Sequence, residues 1–180
     1  MRDAEKTPSG PDFLCSLHRL LAAREERALV QKNLLSSVDG GSLVQIALNV
    51  PGWPKRIKND AAAIRIAAAS FKHKTSADEA ARIILVNAAG VALLLLFPSL
   101  APRAAKEAGV EVESVREWGR AVDIDVITHA GALSRRDLAL PARKCLLCGD
   151  DAKHCARERR HDTDELRARV RELLAGVGPG

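Results

Sequence analysis

The stretch GRAVDIDVIT, Gly119 to Thr128, decides how the chain is read. Val122, Ile124 and Val126 alternate with Asp123 and Asp125, and in a strand successive side chains point to opposite faces. One face is therefore apolar and β-branched, and the other carries two carboxylates side by side. The residues that follow, ITHAGALSRRDLAL, read as the return arm of a hairpin. A loop of His129-Ala130 or Ala130-Gly131 puts Ser134 and Arg136 on the aspartate face. A three-residue loop, with Gly131 left-handed in a bulge, puts Arg135 and Asp137 there instead. Either register delivers one arginine beside the carboxylates.

Outward from this hairpin, the chain reads as helices and strands in mixed order. After a lead over 1–11 expected to be disordered, FLCSLHRLLAAREERALVQKNLL has a helical period, with Phe13, Leu14, Leu17, Leu20 and Leu21 as its apolar stripe. SLVQIALNV alternates as a strand and is stopped by PGWP. KNDAAAIRIAAASFKHK is a second helix with Asn59 or Asp60 as its cap. ARIILVNAAGVALLLLF gives two strands around Asn87 to Gly90, the second buried on both faces. APRAAKEAG predicts a short helix ended by Gly109, and VEVESV a strand. HDTDELRARVRELL closes as a helix, with Asp162 and Glu165 spaced as a capping box and Leu166, Val170, Leu173 and Leu174 as its apolar stripe. This order predicts an α+β fold with a mixed or antiparallel central sheet and flanking helices. Residues 12–141 form the body, and residues 142–176, a Cys-containing segment and the closing helix, pack on the same domain.

Composition narrows the partners. The 180 residues are 47% hydrophobic, enough for a proper core, and carry a net charge of +5, which favours anionic ligands or acidic protein surfaces. With 3% aromatic residues and no Tyr, there are few platforms on which bases could stack, which weighs against a single-stranded nucleic-acid binder. The opening MRDAEKTPSGPD has no apolar leader core and VALLLLF is too short to span a bilayer, so the chain reads as a cytoplasmic protein without a membrane partner.

Three of the four cysteines fall within CLLCGDDAKHC. Cys145, Cys148 and Cys155, with His161 or His154 as a fourth ligand, have spacing that can close a tetrahedral structural Zn²⁺ site. The alternative is three reduced thiols on a compact loop with cations nearby. Cys15 reads as an ordinary helix residue. On the first helix, Leu20, Arg24, Arg27 and Gln31 stand at i, i+4, i+7 and i+11. That stripe begins apolar and becomes polar, so it is either a solvated face or a donor set that the helix extends toward phosphate. Lys55, after VPGWP, and Arg120, before the aspartates, are further binding candidates, because loops at strand ends commonly carry sites.

The block GRAVDIDVITHAGALSRRDLALPARKCLLC followed by CARERRH is similar to the C-terminal half of the citrate lyase holo-acyl-carrier-protein synthases, the apo-citrate lyase phosphoribosyl-dephospho-CoA transferases. LLAAREERALVQ and LVQIALNVPGWPK resemble the same family in the same order, so the likeness covers nearly the whole chain. The resemblance implies transfer of a phosphoribosyl-dephospho-CoA group from triphosphoribosyl-dephospho-CoA to a serine of the citrate lyase acyl carrier subunit, with release of pyrophosphate. For such chemistry, Asp123 and Asp125 are the expected catalytic pair. They would offer hard oxygen ligands to one or two Mg²⁺ ions, which can clamp both sides of an in-line displacement. Arg24, Arg27, Gln31, Lys55, Arg120, Arg135 and Arg136 are the expected substrate-binding residues. A glycine ahead of an Asp-x-Asp strand is also similar to the nucleotidyltransferase superfamily, an analogy of short motif and reaction type.

Where family members carry His-Pro-Leu before the Gly-Arg pair, this chain has Arg116, Glu117 and Trp118, and its hairpin turn is a residue shorter. No histidine role carries over to that point, and the expected base is an aspartate or the metal's own water. Two other readings compete. A nonenzymatic zinc-containing module could bind nucleic acid through its basic charge, although DTDELRARVRE interleaves acids with bases as a mixed surface does. A degenerate homologue could dock an acyl carrier protein without transferring anything.

Overall fold

A computed structural model of the chain describes residues 11–178. Among the described residues five strands form one sheet: β1 (Ser42–Leu48), β2 (Ala81–Asn87), β3 (Gly90–Phe97), β4 (Val122–Thr128) and β5 (Gly131–Leu133), in the order β2-β3-β1-β4-β5. The α-helices among the described residues are α1 (Pro11–Leu35), α2 (Asp60–Thr75), α3 (Pro102–Val115), α4 (Ala152–Arg157) and α5 (Thr163–Ala175). The fold is thus α+β, a central sheet with flanking helices, and every neighbouring strand pair is antiparallel. β1 and β2 run parallel on either side of β3, and β3 and β4 parallel on either side of β1. The helices α2 and α3 are therefore the crossovers of two interleaved split β-α-β units, the ferredoxin-like order.

The register sorts the side chains into two faces. Val44, Ile46, Leu93, Leu95, Ile124 and Val126 share one face and form a core with residues of α2 and α3 such as Phe71, Ala105 and Val112. Leu43, Leu94 and Leu96 share the other face with Leu35 of α1. Flanked on both sides and covered on both faces, β3 is buried along its whole length, as its unbroken apolar run predicts. Each such Leu, Ile or Phe contributes roughly 1.5–3 kcal/mol by burial. The second face turns polar toward β4, where Gln45 lies opposite Asp125 and Ala47 opposite Asp123. A third cluster joins Ala62, Ala63 and Ala121 to Leu146, Val170, Leu173, Leu174 and Val177, so the Cys-containing segment and α5 pack against the start of α2 and the entry to β4.

Several local expectations change. The segment PRAAKEAGVEVESV is one helix, and Gly109 lies inside it rather than ending it. Ala105, Ala108 and Val112 supply a buried face at i, i+3 and i+7, and the alternation of VEV is too short to compete with it. Glycine suits this place because a Cβ there would stand 2.9 Å from Cγ2 of Ile124, so α3 lies directly on β4. At the start of α2, Asn59 occupies the cap position in a left-handed conformation without capping through its side chain, which donates to the Leu174 carbonyl at 2.9 Å. Asp60 instead accepts from the Ile57 and Ala61 amides.

The α1 stripe does not bury as expected. Leu14, Leu17 and Leu21 are exposed, while Ala23 and Leu35 are buried; the side chain of Phe13 lies outside the described ones. A 25-residue helix is about 37 Å long, more than the sheet spans in either direction, so its early turns extend past the strands. Residues 1–10 of the expected disordered lead lie outside the described residues, and α1 begins at Pro11. At α5, Asp162 caps the helix by accepting from the Asp164 amide. Val170, Leu173 and Leu174 are buried as expected, and so is Arg167, which donates to the Pro51 and Pro54 carbonyls at 3.1 and 2.6 Å.

The close approach of α3 to β4 gives a test. Gly109→Val should lower the unfolding free energy by about 1–3 kcal/mol, because the new side chain overlaps the buried, β-branched Ile124. Denaturant titration of both proteins measures it, and an unchanged midpoint would mean that α3 does not sit so close.

Candidate active site

The site begins at the outer edge of β4. The hairpin loop is His129-Ala130, with Thr128 opposite Gly131, but β5 pairs only with Val126, Ile127 and Thr128. Nearer the start of β4, side chains take the place of a strand. Glu113 of α3 accepts from the Ile124 amide at 2.7 Å, and Lys106, two turns earlier, donates to the Ile124 carbonyl at 2.8 Å. Arg143 donates to the Val122 carbonyl and to the Arg120 carbonyl. The edge is thus hydrogen-bonded without being covered. A cleft of about 680 Å³ opens beside it, lined by Asp123, Asp125, β5, the 135–143 segment and α4.

The two aspartates differ. Asp123 accepts from Arg143 Nη1 at 2.7 Å, and its side chain is 45% exposed. Asp125 accepts from Gln45 Nε2 at 3.2 Å, and Gln45 Oε1 in turn accepts from Gln31 of α1 at 2.8 Å. Burial pushes the Asp125 carboxyl above the ordinary carboxylate range; the charges of Asp123 and Glu113 add to this, and Lys106 and Gln45 pull against it. Hard oxygen donors crowded beyond the compensation their neighbours provide are a donor set that fits a divalent cation such as Mg²⁺.

The polar stripe of α1 is brought to the same face of the sheet. Arg27 donates to the Ala89 carbonyl at 3.3 Å, and its Nε is buried without a partner among the described residues. Burial first, then the charge of Arg24, lowers the Arg27 pKa, while Asp125 acts in the opposite sense. Lys55 donates to the Val50 carbonyl at 2.8 Å and is likewise lowered, by burial and then by the charges of Arg24 and Arg167. Arg24, Arg27 and Lys55 therefore form a crowd of cations next to a carboxylate, an arrangement that an anion would relieve.

Arg120, Arg135 and Arg136 are engaged in three different ways. The Arg120 guanidinium turns from the cleft and donates to the Cys145 and Leu146 carbonyls at 2.6 and 3.3 Å. Since β5 ends at Leu133, strand alternation does not place the other two; they sit in the turn that follows. Arg135 pairs with Glu113, and Arg136 lines the cleft. Gln45, Lys106, Glu113 and Arg143 were not singled out from the sequence. A glutamine inside the apolar run SLVQIAL was a signal for the first. Lys106 and Glu113 emerge only once α3 is one helix, which sets them seven residues apart on a buried face.

Cys145, Cys148, Cys155 and His161 converge, their ligand atoms all within 4.8 Å of one another. Cys148 Sγ lies 3.5 Å from Cys155 Sγ and 3.3 Å from His161 Nε2. These separations are close to the edges of about 3.8 Å that a tetrahedron with Zn–S bonds of 2.3 Å requires. Although burial opposes it, the Cys148 and Leu147 amides pointing at Cys145 bring its thiol pKa down, the arrangement of a Cys-x-x-Cys knuckle. Burial and the neighbouring sulfurs push the Cys155 thiol up to about 12. The group can hold a metal ion such as zinc. His154, the other histidine near the cysteines, lies 3.2 Å from Glu158 instead.

The knuckle is fastened to the aspartate strand. Arg120, just before β4, holds the carbonyls of Cys145 and Leu146, and Arg143, just before the knuckle, holds those of Arg120 and Val122 together with the Asp123 carboxylate. Within the knuckle, Cys145 donates to the Asp150 carbonyl and Ala152 to that of Arg143, both at 2.8 Å. Among the described residues, no helix is long and apolar enough to cross a membrane.

The family model described as apo-citrate lyase phosphoribosyl-dephospho-CoA transferase matches residues 15–177. A protein of Vibrio cholerae serotype O1 named probable apo-citrate lyase phosphoribosyl-dephospho-CoA transferase is 32% identical over 170 residues, 91% of this chain and 93% of that one. A Streptococcus pyogenes protein of the same name is 31% identical over 163 residues, covering 88% and 84% of the two chains. The match runs from α1 through the aspartate strand to the end of α5, and the chain belongs to the apo-citrate lyase phosphoribosyl-dephospho-CoA transferase family.

Proposed function

We propose that this protein transfers the phosphoribosyl-dephospho-CoA group of triphosphoribosyl-dephospho-CoA to a serine of the acyl carrier subunit of citrate lyase, in the cytoplasm. The observation that carries the reading is the half-buried Arg27, its Nε without a partner among the described residues, set between the charges of Arg24 and Asp125; burial first and then the charge of Arg24 lowers both Arg27 and Lys55. A polyanion bound there would satisfy the buried Arg27 Nε and spread its charge over the three cations.

The step is a nucleotidyl-type transfer. The serine oxygen bonds to the innermost phosphorus of the triphosphate, the bond from that phosphorus to the bridging oxygen breaks, and pyrophosphate leaves with the electron pair. The hydroxyl proton passes to a carboxylate of the aspartate pair. Asp123 and Asp125 would hold Mg²⁺, which supplies charge neutralisation on the phosphoryl oxygens. Gln31 and Gln45 keep the Asp125 carboxylate aimed at the cleft, and Arg143 does the same for Asp123. At Cys145, Cys148, Cys155 and His161 a Zn²⁺ ion would serve a structural purpose, closing the knuckle that Arg120 and Arg143 tie to β4. A nucleic-acid surface has less support, since cations such as Arg160 and Arg169 are paired with Asp150, Glu158, Glu117 and Glu172.

Incubating the carrier subunit with donor, Mg²⁺ and this protein should raise the carrier's intact mass by one prosthetic group. Asp123→Asn and Asp125→Asn should each lower the rate by at least about a hundredfold with the fold retained, as expected for loss of a charge from a metal-assisted site. Turnover close to wild type in both variants would sink the assignment.

Stability should move the other way at Asp125. Its folded pKa is raised, so ionising it costs stability as pH climbs from the ordinary carboxylate value through the folded one, and the full cost is present above that window. Without divalent cations, Asp125→Asn should therefore be more stable than wild type at neutral pH, and the gain should disappear near about pH 3. Denaturant midpoints at the two pH values measure this, and a gain independent of pH contradicts it.

Protein kept reduced during purification should contain close to one zinc per chain by elemental analysis, with the metal lost in Cys148→Ser. Zinc-free protein with intact thiols would leave the cluster as free cysteines.

A further inference from the structure

The cleft beside the aspartates has a second wall, which the α1 cations do not reach. Six cationic side chains line the cleft against four anionic ones, so it carries a positive excess despite its carboxylates. Three of the six are already engaged: Lys106 with the Ile124 carbonyl, Arg135 with Glu113, and Arg143 with Asp123. Arg136, Lys153 and Arg157 remain, their side chains without a hydrogen bond or ion pair among the described residues, although Arg136 feels the charge of the neighbouring, exposed Asp137. Lys153 and Arg157 stand at i and i+4 on α4, on one side of the helix, and Cys155 between them is buried in the Cys₃His cluster. Asp151, the acid of this wall, is occupied in capping α4, where it accepts from the Lys153 and His154 amides.

We propose that Arg136, Lys153 and Arg157 form a pyrophosphate subsite, which takes the terminal phosphates of the donor and holds the leaving pyrophosphate as it separates. The proposal rests on the transferase reading and adds to it the division of the phosphates between two walls. In an in-line displacement the attacking and leaving oxygens lie on opposite sides of the reacting phosphorus. Cations confined to the α1 side would grip only one end of the donor. A second group across the aspartates stabilises the charge that appears on the other end as the bond breaks. Free cations in a concave, net-positive cleft suit a compact polyanion, because several charge-assisted bonds can form at once. The Cys₃His knuckle then has a catalytic consequence without touching substrate: it carries α4 and so places two of the three cations.

Binding of inorganic pyrophosphate to the full-length protein, measured by isothermal titration calorimetry with and without Mg²⁺, tests this apart from any transfer assay. Wild-type protein should bind pyrophosphate, and K153A/R157A should weaken it by about tenfold or more; K153R should restore most of the affinity lost in K153A. Product inhibition of the transfer reaction by pyrophosphate should be relieved to a similar degree. Protein stripped of metal by a chelator and dialysed should show a comparable loss while the rest of the fold is retained by circular dichroism. Failure of wild type to bind pyrophosphate, or equal affinity in wild type and K153A/R157A, overturns the subsite. Equal affinity together with slower transfer at low carrier concentration would identify the α4 wall as a docking surface for an acidic carrier, which also overturns it. If the protein transfers nothing to the carrier but the variants still lose pyrophosphate, the function reading fails and the subsite stands.

Discussion

β5 pairs with only three residues of β4, so the strand bearing Asp123 and Asp125 has an outer edge that must find hydrogen bonds elsewhere. Glu113, Lys106 and Arg143 provide them, two from a helix and one from the segment leading to the knuckle. A full-length partner strand would have satisfied the same groups and closed the space beside the aspartates. Side chains satisfy them from the rim and leave a cleft. Leaving either Ile124 group unpaired would cost about 1–3 kcal/mol, which explains why a lysine and a glutamate are buried on a helix face that packs on a sheet.

Charge placement follows from that edge. The carboxylates that close the edge and those proposed for chemistry lie within electrostatic reach of each other, since Glu113 and Asp123 both push the Asp125 pKa upward. Cations answer from three directions: Arg143 beside Asp123, Lys106 behind β4, and the Arg24, Arg27 and Lys55 group across the sheet face. On the α1 side burial, and after it the charge of Arg24, lowers Arg27 and Lys55. Burial is the first cause of the raised Asp125 pKa and of the lowered Arg27 and Lys55 pKa values, so holding these charges in the fold costs stability.

The knuckle extends this logic to a part of the chain that looks like an appendage. Arg120 and Arg143 make guanidinium-to-carbonyl bonds between the start of β4 and the Cys145 turn, so the two segments are tied together. Leu146 also packs with α5 residues and Ala121. A metal at the four ligands would therefore rigidify one wall of the cleft and not merely a terminal loop.

Periodicity and local chemistry determined a good deal by themselves. The alternation around Asp123 and Asp125, the buried run of β3 and the Cys-x-x-Cys spacing each depend on near neighbours in the chain, and each reads correctly for that reason. Gln31 and Arg27 could be put on one helix face, but that they meet Gln45 and Asp125 depends on how α1 crosses the sheet, and no local pattern encodes that crossing. Gly109 looked like a helix stop because glycine usually is one; only the contact with Ile124 shows why a continuing helix needs it. Arg120 and Arg136 looked alike as basic residues near aspartates, yet one is spent on the knuckle and the other faces the cleft. The tertiary structure decided those cases because they depend on where β5 ends and which backbone groups it leaves unpaired, a property of strands far apart in sequence.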